Sequence, residues 1–149
     1  MQRQKYSKST NISALMLLQN KGELVIPAVQ RELVWTKSQN QLLIDSLFKD
    51  FDIPKIYFRD VETAGKRVYE VIDGQQRLNA IFSFITDGYE LPMDADDVDG
   101  EKVAGKKWSE LSSMLQIQFS TNLLMLSISL AIPTRKLTKP FCACRMVRL

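Results

Sequence analysis

The run from Val71 to Ile81 constrains the fold of this chain more than any other segment, because it joins a strand to a helix. Residues 67–72 alternate and are rich in β-branched side chains, which is typical of a strand. Over residues 78–85, apolar side chains recur at the spacing of one buried helix face. We therefore predict a sharp turn from strand to helix at Asp73 and Gly74.

The residues at this turn are polar and suit an anion. We expect Asp73 to be the N-cap, Gly74 to allow a backbone conformation or close approach that a side chain would forbid, and Gln75, Gln76 and Arg77 to form the first helical turn. Unpaired amides and the positive end of the helix dipole attract phosphate there, and a guanidinium can bind two of its oxygens. The alternative is a capped helix with a solvated first turn.

Two more helices are predicted before this turn. The first runs from Ile12 to Gln19, with Thr10 or Asn11 as its cap, and ends near Gly22. The second covers residues 41–48, where apolar residues are paired at helical spacing.

Two further strands are predicted from apolar runs. One begins at Ile26 and leads into Gln30 and Arg31. The other covers residues 53–58, with Pro54 at its edge or as its first residue, because proline cannot donate to a sheet. Strands and helices in this order predict an α+β fold with three or four strands and helices on one face.

Four motifs occur in a recognisable order. They are Ile-Pro-x-x-Gln-Arg-x-x-Val-Trp at 26–35, Leu-Ile-Asp-Ser-Leu at 43–47, Ile-Pro-x-Ile-Tyr-Phe at 53–58 and Asp-Gly-Gln-Gln-Arg-Leu-x-Ala-Ile at 73–81. Over residues 10–120 the chain resembles the N-terminal domain of GmrSD-type, modification-dependent restriction endonucleases. The resemblance implies a small mixed sheet with helices packed on it, similar to the ParB/sulfiredoxin group.

The same resemblance implies nucleotide hydrolysis that controls DNA cleavage in phage defence, with a nucleoside triphosphate and Mg²⁺ as substrate and cofactor. The catalytic residues that it implies are Asp73, Gln75, Gln76 and Arg77. The nucleotide-binding residues that it implies are Gln30, Arg31, Gly74 and Arg77.

Phosphoanhydride hydrolysis needs a positioned water and neutralisation of the charge on the transferred group, and arginine and glutamine can supply both. Our hypothesis is that Arg77 and Arg31 hold phosphate oxygens and that Gln75 or Gln76 orients the attacking water. Asp73 then either caps the helix or contacts the Mg²⁺ shell.

The chain contains no histidine. This excludes from it a Ser-His-Asp triad, a Cys-His pair and a histidine-containing HNH nuclease site. The resemblance implies an HNH-type nuclease domain, fused behind this one or on a partner chain, so that DNA is contacted indirectly.

The charge distribution does not favour DNA binding by the core. Five of the 20 basic residues and none of the 17 acidic residues lie in residues 120–149, which leaves 15 basic residues in the rest of the chain. A domain that grips DNA normally carries a basic excess on its folded part. The competing function is a non-catalytic, ParB-like adapter that uses the same groove to bind nucleic acid or protein.

The C-terminal residues differ from the rest, and we expect a flexible segment at 1–9, a partial nucleotide-binding domain at 10–120 and an aberrant tail at 121–149. Residues 123–132 are apolar without evident strand or helix period. Reading the possible codons of residues 138–147 two nucleotides out of phase permits a motif similar to the family's next one. We infer a slip of the reading frame near residues 120–129.

No metal site made by the protein alone is predicted. Cys142 and Cys144 have no second pair or histidine to complete a set of ligands, and the acidic loop at 94–105 lacks the glycine and glutamate of a calcium loop.

Localisation is expected to be cytoplasmic, without contact to a membrane. Residues 1–9 are polar and do not resemble a signal peptide, and the two cysteines fit a reducing compartment. The apolar run near the C-terminus is shorter than the roughly 20 residues that span a bilayer.

The two tryptophans have different expected roles. Trp108 belongs to a short amphipathic helix with apolar residues up to Phe119, so we expect it to pack in the core. Trp35 follows the Gln-Arg pair closely, and could either pack in the core or stack on a nucleobase.

Overall fold

A computed structural model describes residues 4–27 and 34–130, which form a mixed α+β fold of five strands and four helices. The elements in chain order are β1 (Lys5–Asn11), α1 (Ile12–Asn20), β2 (Leu24–Val25), α2 (Lys37–Phe48), β3 (Ile56–Thr63), β4 (Lys66–Asp73), α3 (Gln75–Ile85), α4 (Ser113–Ser120) and β5 (Leu123–Leu130). A short 3₁₀ helix, Trp108–Glu110, precedes α4. Within the described ranges, no helix has the length and apolar character needed to cross a bilayer.

The strands form one mixed sheet in the order β1-β5-β3-β4-β2. β3 pairs antiparallel with β4 and parallel with β5, while β1 pairs antiparallel with β5 and β2 pairs parallel with β4. This order places β4, and therefore the start of α3, next to the short strand β2. The chain that follows β2 includes residues 28–33, which lie outside the described residues.

The central hairpin explains where β3 begins and ends. The strand starts at Ile56, later than residues 53–58 suggest, because Pro54 has no N–H to give to a ladder. It ends at a two-residue turn in which Ala64 and Gly65 both have positive φ, of 52° and 76°. Such turns match the twist of the flanking strands, so β4 returns directly beside β3.

The helices predicted from periodicity are confirmed, and their starts have clear causes. Asn11 caps α1, because its side-chain oxygen accepts a hydrogen bond from the Ala14 N–H at 2.8 Å. α2 begins earlier than predicted, at Lys37, because Thr36 and Gln39 form a reciprocal capping box.

The core lies between the helices and one face of the sheet. Aromatic side chains from α2, α3 and α4 meet there, with ring centroids 5.0 Å apart for Phe48 and Phe119 and 5.8 Å apart for Phe84 and Phe119. Trp108 packs edge-on against Phe84 at 5.8 Å, which agrees with its expected place in the core. These contacts join the second half of the chain firmly to α3.

The structure corrects the expected boundaries at both ends of the domain. β5, within the residues expected to be an aberrant tail, lies between β1 and β3 in the sheet. Its buried residues alternate along the strand, but the opposite face begins with Leu123 and Met125, which are 70% and 43% exposed, so the strand period is hidden in the first half of β5. At the other end, residues 5–9 belong to β1 instead of a flexible segment.

Candidate active site at the start of α3

The turn between β4 and α3 is made by a single residue. β4 ends at Asp73, α3 begins at Gln75, and Gly74 between them is the N-cap, with φ of +96° and ψ of +14°. The prediction that Asp73 caps α3 is therefore wrong. Asp73 still belongs to the extended strand, opposite Tyr57 of β3, and no side chain caps the helix.

Gly74 is required for two independent reasons. A positive φ of this size is unfavourable for residues that carry a Cβ. A Cβ at this position would also lie 3.0 Å from Cγ2 of Ile56 and 3.1 Å from Nη2 of Arg77. The close approach of the backbone to the guanidinium thus depends on the missing side chain.

We predict that Gly74→Ala lowers the free energy of unfolding by about 2–3 kcal/mol, from backbone strain together with displacement of Ile56 or Arg77. The matched control is Gly22→Ala, where φ is +73° but nothing lies within 4 Å of the added Cβ. That control is expected to cost only the conformational strain, about 1 kcal/mol. Denaturant unfolding of both variants measures the difference, and equal losses would show that the crowding at Gly74 has no effect.

Arg77 lies along the turn and is held by the backbone before it. Its Nη2 donates to the Lys55 carbonyl at 3.1 Å and lies 3.5 Å from Oδ2 of Asp73. The side chain is only 13% exposed, and its Nε is buried without an acceptor among the described residues. A guanidinium has five N–H donors, and the contacts of Arg77 with Lys55 and Asp73 use only Nη2, so donors of its terminal amino groups can serve an added anion.

The helix end adds further donors in the same place. The first backbone hydrogen bond of α3 runs from the Leu78 N–H to the Gly74 carbonyl at 3.0 Å, so the amides before Leu78 point out of the N-terminal end of the helix. The positive end of the helix dipole coincides with them. Together with Arg77, the turn presents several N–H donors beside the exposed Asp73 carboxylate.

The two glutamines have different contacts. Gln75 is anchored through Nε2, which donates to the Val71 carbonyl at 3.3 Å. Gln76 accepts a hydrogen bond from the Trp35 N–H at 3.2 Å through Oε1. Gln76 therefore ties the segment before α2 to the first turn of α3, whereas the Gln75 amide is fixed to the strand that enters the turn.

An ion pair holds the start of α2 in place beside this segment. Lys37 pairs with Glu90, and the Lys37 ammonium holds the pKa of the Glu90 carboxyl below its usual range. Nε2 of Gln41 also donates to the Glu90 carbonyl at 2.9 Å. The position of Trp35 is thus set from both sides, by Gln76 and by the anchored start of α2.

A hollow of about 420 Å³ lies at the turn between β4 and α3. Its described lining consists of Trp35, Ile72, Asp73, Gly74, Gln75, Gln76 and Arg77. The four residues predicted to be catalytic, and the predicted nucleotide-binding Gly74, are thus brought together. The predicted Gln30 and Arg31 lie outside the described residues, so their place at the hollow stays a prediction.

Two contributors to the site could not be predicted from the sequence. Ile72 lines the hollow although it belongs to a strand, because the register of β3 and β4 shifts between Tyr57 and Phe58, beside it. The Lys55 carbonyl, which accepts from Arg77, is a backbone group that carries no signal in the residue type. For Trp35, the sequence left two roles open, packing in the core and stacking on a nucleobase.

The described residues contain no group of three or more histidine, cysteine, aspartate or glutamate side chains that could hold a metal ion. Asp73, with its side chain 68% exposed, is the carboxylate that lines the hollow in the described part of the chain. A metal at this site would have to share its coordination with a ligand and water, as Mg²⁺ commonly does with phosphates.

Comparison with known proteins gives one family. Residues 13–137 match the family model described as "GmrSD restriction endonuclease, N-terminal domain". No curated protein matches the chain. No solved structure matches it either.

Proposed function

Because the chain belongs to the family of the GmrSD restriction endonuclease N-terminal domain, and so has a role in a restriction system, we propose that it binds and hydrolyses a nucleoside triphosphate. The reaction takes place in the hollow at the start of α3 and controls DNA cleavage by a separate nuclease domain. The nuclease contacts the DNA, and the present domain responds to the nucleotide.

The observation that carries this proposal is the convergence of a partly satisfied, largely buried arginine with the positive end of the α3 dipole. Arg77 retains donor capacity beyond its contacts with Lys55 and Asp73, and the amides before Leu78 point into the same region. Both features favour a multiply charged oxyanion over a neutral ligand. A nucleoside triphosphate provides such a group at its phosphate end.

The proposed reaction is displacement by water. The water oxygen forms a bond to the terminal phosphorus, the bond to the bridging oxygen breaks, and its electron pair leaves with the nucleoside diphosphate. The proton of the water passes to an oxygen of the released phosphate. Arg77 and the amides of the turn stabilise the charge on the transferred group, which is the main contribution that a protein makes to this chemistry.

Gln75 is the better candidate to orient the water. Its Nε2 is anchored on the Val71 carbonyl, so its amide oxygen is held in a defined position and can accept a hydrogen bond from water. Oε1 of Gln76 already accepts from the Trp35 backbone, which suits a positioning role. This assigns different tasks to two neighbouring residues of the same type.

Mg²⁺ is the cofactor proposed with the nucleotide. Asp73 offers one exposed carboxylate at the hollow, which fits an ion that binds through one or two carboxylates, substrate phosphates and water. Bound there, the ion would supply charge neutralisation for the phosphates.

Phosphate release from each of the four nucleoside triphosphates, measured with Mg²⁺ present, tests the proposal. We predict release above background with the unaltered chain, and a loss of about 10- to 100-fold in Gln75→Leu, because the water is no longer positioned. Gln19→Leu, on the exposed side of α1, is the matched control and should retain full activity. Binding without phosphate release from any of the four would instead indicate the non-catalytic adapter.

A further inference from the structure

The hollow has two chemically different sides. Asp73, Gly74 and Arg77 are the polar part of its lining, at the turn. Trp35 and Ile72 are the apolar part, which we call the apolar side. A ligand made only of phosphate would leave this apolar surface in contact with water, which is unfavourable for a tryptophan and an isoleucine together.

From this arrangement we infer that the indole of Trp35 is the stacking surface for the base of the nucleotide, with Ile72 completing the apolar side. The inference rests on the proposed function, since it places the phosphates at Arg77 and the start of α3. It adds that the site recognises an aromatic base and not phosphate alone. Trp35 is therefore a binding residue, and the reaction itself takes place at the polar side.

The contacts of Trp35 favour this role over simple packing. The side chain is half-buried and packs against the edge of the core, yet it also lines the hollow. Its backbone N–H donates to Oε1 of Gln76 in the first turn of α3, at 3.2 Å. The residue that follows, Thr36, is fixed as the cap of α2. A tryptophan whose backbone is fixed in this way, and whose side chain has only two rotatable bonds, loses little freedom when a base stacks on it.

The second tryptophan provides the natural comparison. Trp108 lies among aromatic rings, 5.5 Å from Phe119 and 5.8 Å from Phe84 between centroids, and it does not line the hollow. Because the chain has only these two tryptophans, replacing one makes the fluorescence of the variant report on the other. Trp108→Phe therefore isolates the signal of Trp35.

The experiment compares a nucleoside triphosphate with inorganic triphosphate, which has the three linked phosphates but neither ribose nor base. In the unaltered chain the nucleotide should bind about 10- to 100-fold more tightly than inorganic triphosphate, as expected for one stacked base. Trp35→Leu should remove that advantage and leave the affinity for inorganic triphosphate unchanged, whereas Trp35→Phe should restore most of it. In Trp108→Phe, the nucleotide should quench the remaining emission far more than inorganic triphosphate does.

Equal affinities of the unaltered chain for the two ligands would overturn the assignment of Trp35, and so would an undiminished preference for the nucleotide in Trp35→Leu. A failure of both ligands to bind has a different meaning, because it removes the phosphate site of the proposed function and the inference with it. If Trp35→Leu does not fold, the fluorescence of Trp108→Phe and the affinity of Trp35→Phe decide the question.

Discussion

Replacing Arg77 by glutamine is expected to lower the rate of triphosphate hydrolysis by about 100- to 1,000-fold. Arg77 is the guanidinium that the described structure brings to the start of α3, where it lies 3.5 Å from Asp73. Glutamine keeps a hydrogen-bonding group but removes the charge that stabilises the transferred phosphoryl group. Steady-state phosphate release at saturating nucleotide measures this loss.

The matched control is Arg59→Gln. Arg59 is an exposed arginine of β3 that pairs with Glu70 on the neighbouring strand and does not line the hollow. Because an exposed ion pair contributes little to stability, activity and stability should both stay close to those of the unaltered chain. Comparable activity in Arg77→Gln and Arg59→Gln would show that Arg77 has no special role.

Leu126→Ala is expected to lower the free energy of unfolding by about 2–5 kcal/mol, although residue 126 lies in the segment that the sequence suggested was an aberrant tail. Leu126 is 3% exposed and lies on β5, opposite Ile56 of β3 and Lys8 of β1. Shortening it leaves a cavity between the sheet and the helices. A loss of this size is a large part of the roughly 5–15 kcal/mol that stabilises a typical domain.

Leu123→Ala makes the same chemical change at the start of the same strand, where the side chain is 70% exposed. It should change stability by no more than about 0.5 kcal/mol. Urea unfolding followed by circular dichroism measures both variants. Equal, small effects would mean that β5 is not part of the folded core.

The sequence predicted well those strands and helices that have one apolar face and one polar face. β4 and α3 each place apolar residues at a regular spacing against polar ones, so their periods are visible around Val71 and Leu78. The turn between them was also located correctly, because a glycine stands where the two periods meet. This is why the residues of the candidate site could be named before their positions were known.

Elements without such contrast were missed. β5 is apolar on both faces in its first half, before Ser127, and β1 is a polar edge strand that is stabilised by pairing with β5 along its whole length. The cap of α3 was misassigned for a local reason, since aspartate is the usual choice and only the positive φ of Gly74 identifies the true N-cap. Contacts through backbone groups, such as the Lys55 carbonyl, cannot be read from residue types at all.

The inferred slip of the reading frame stays a prediction, because residues 131–149, including Cys142 and Cys144, lie outside the described residues. β5 shows that residues up to Leu130 belong to the sheet, and the family match extends to residue 137. The nucleotide sequence around codons 118–130 tests the inference directly.

The central claim is that phosphate binds at the turn between β4 and α3, and NMR of a sample labelled with ¹⁵N only in glycine tests it most directly. The chain has six glycines, of which Gly74 lies at the hollow, while Gly22, Gly65 and Gly100 lie in open turns elsewhere. On addition of inorganic triphosphate, we predict that the Gly74 amide resonance shifts in a saturable way and that those of the other three stay in place. A Gly74 resonance that does not move, under conditions where the ligand binds, would contradict the account.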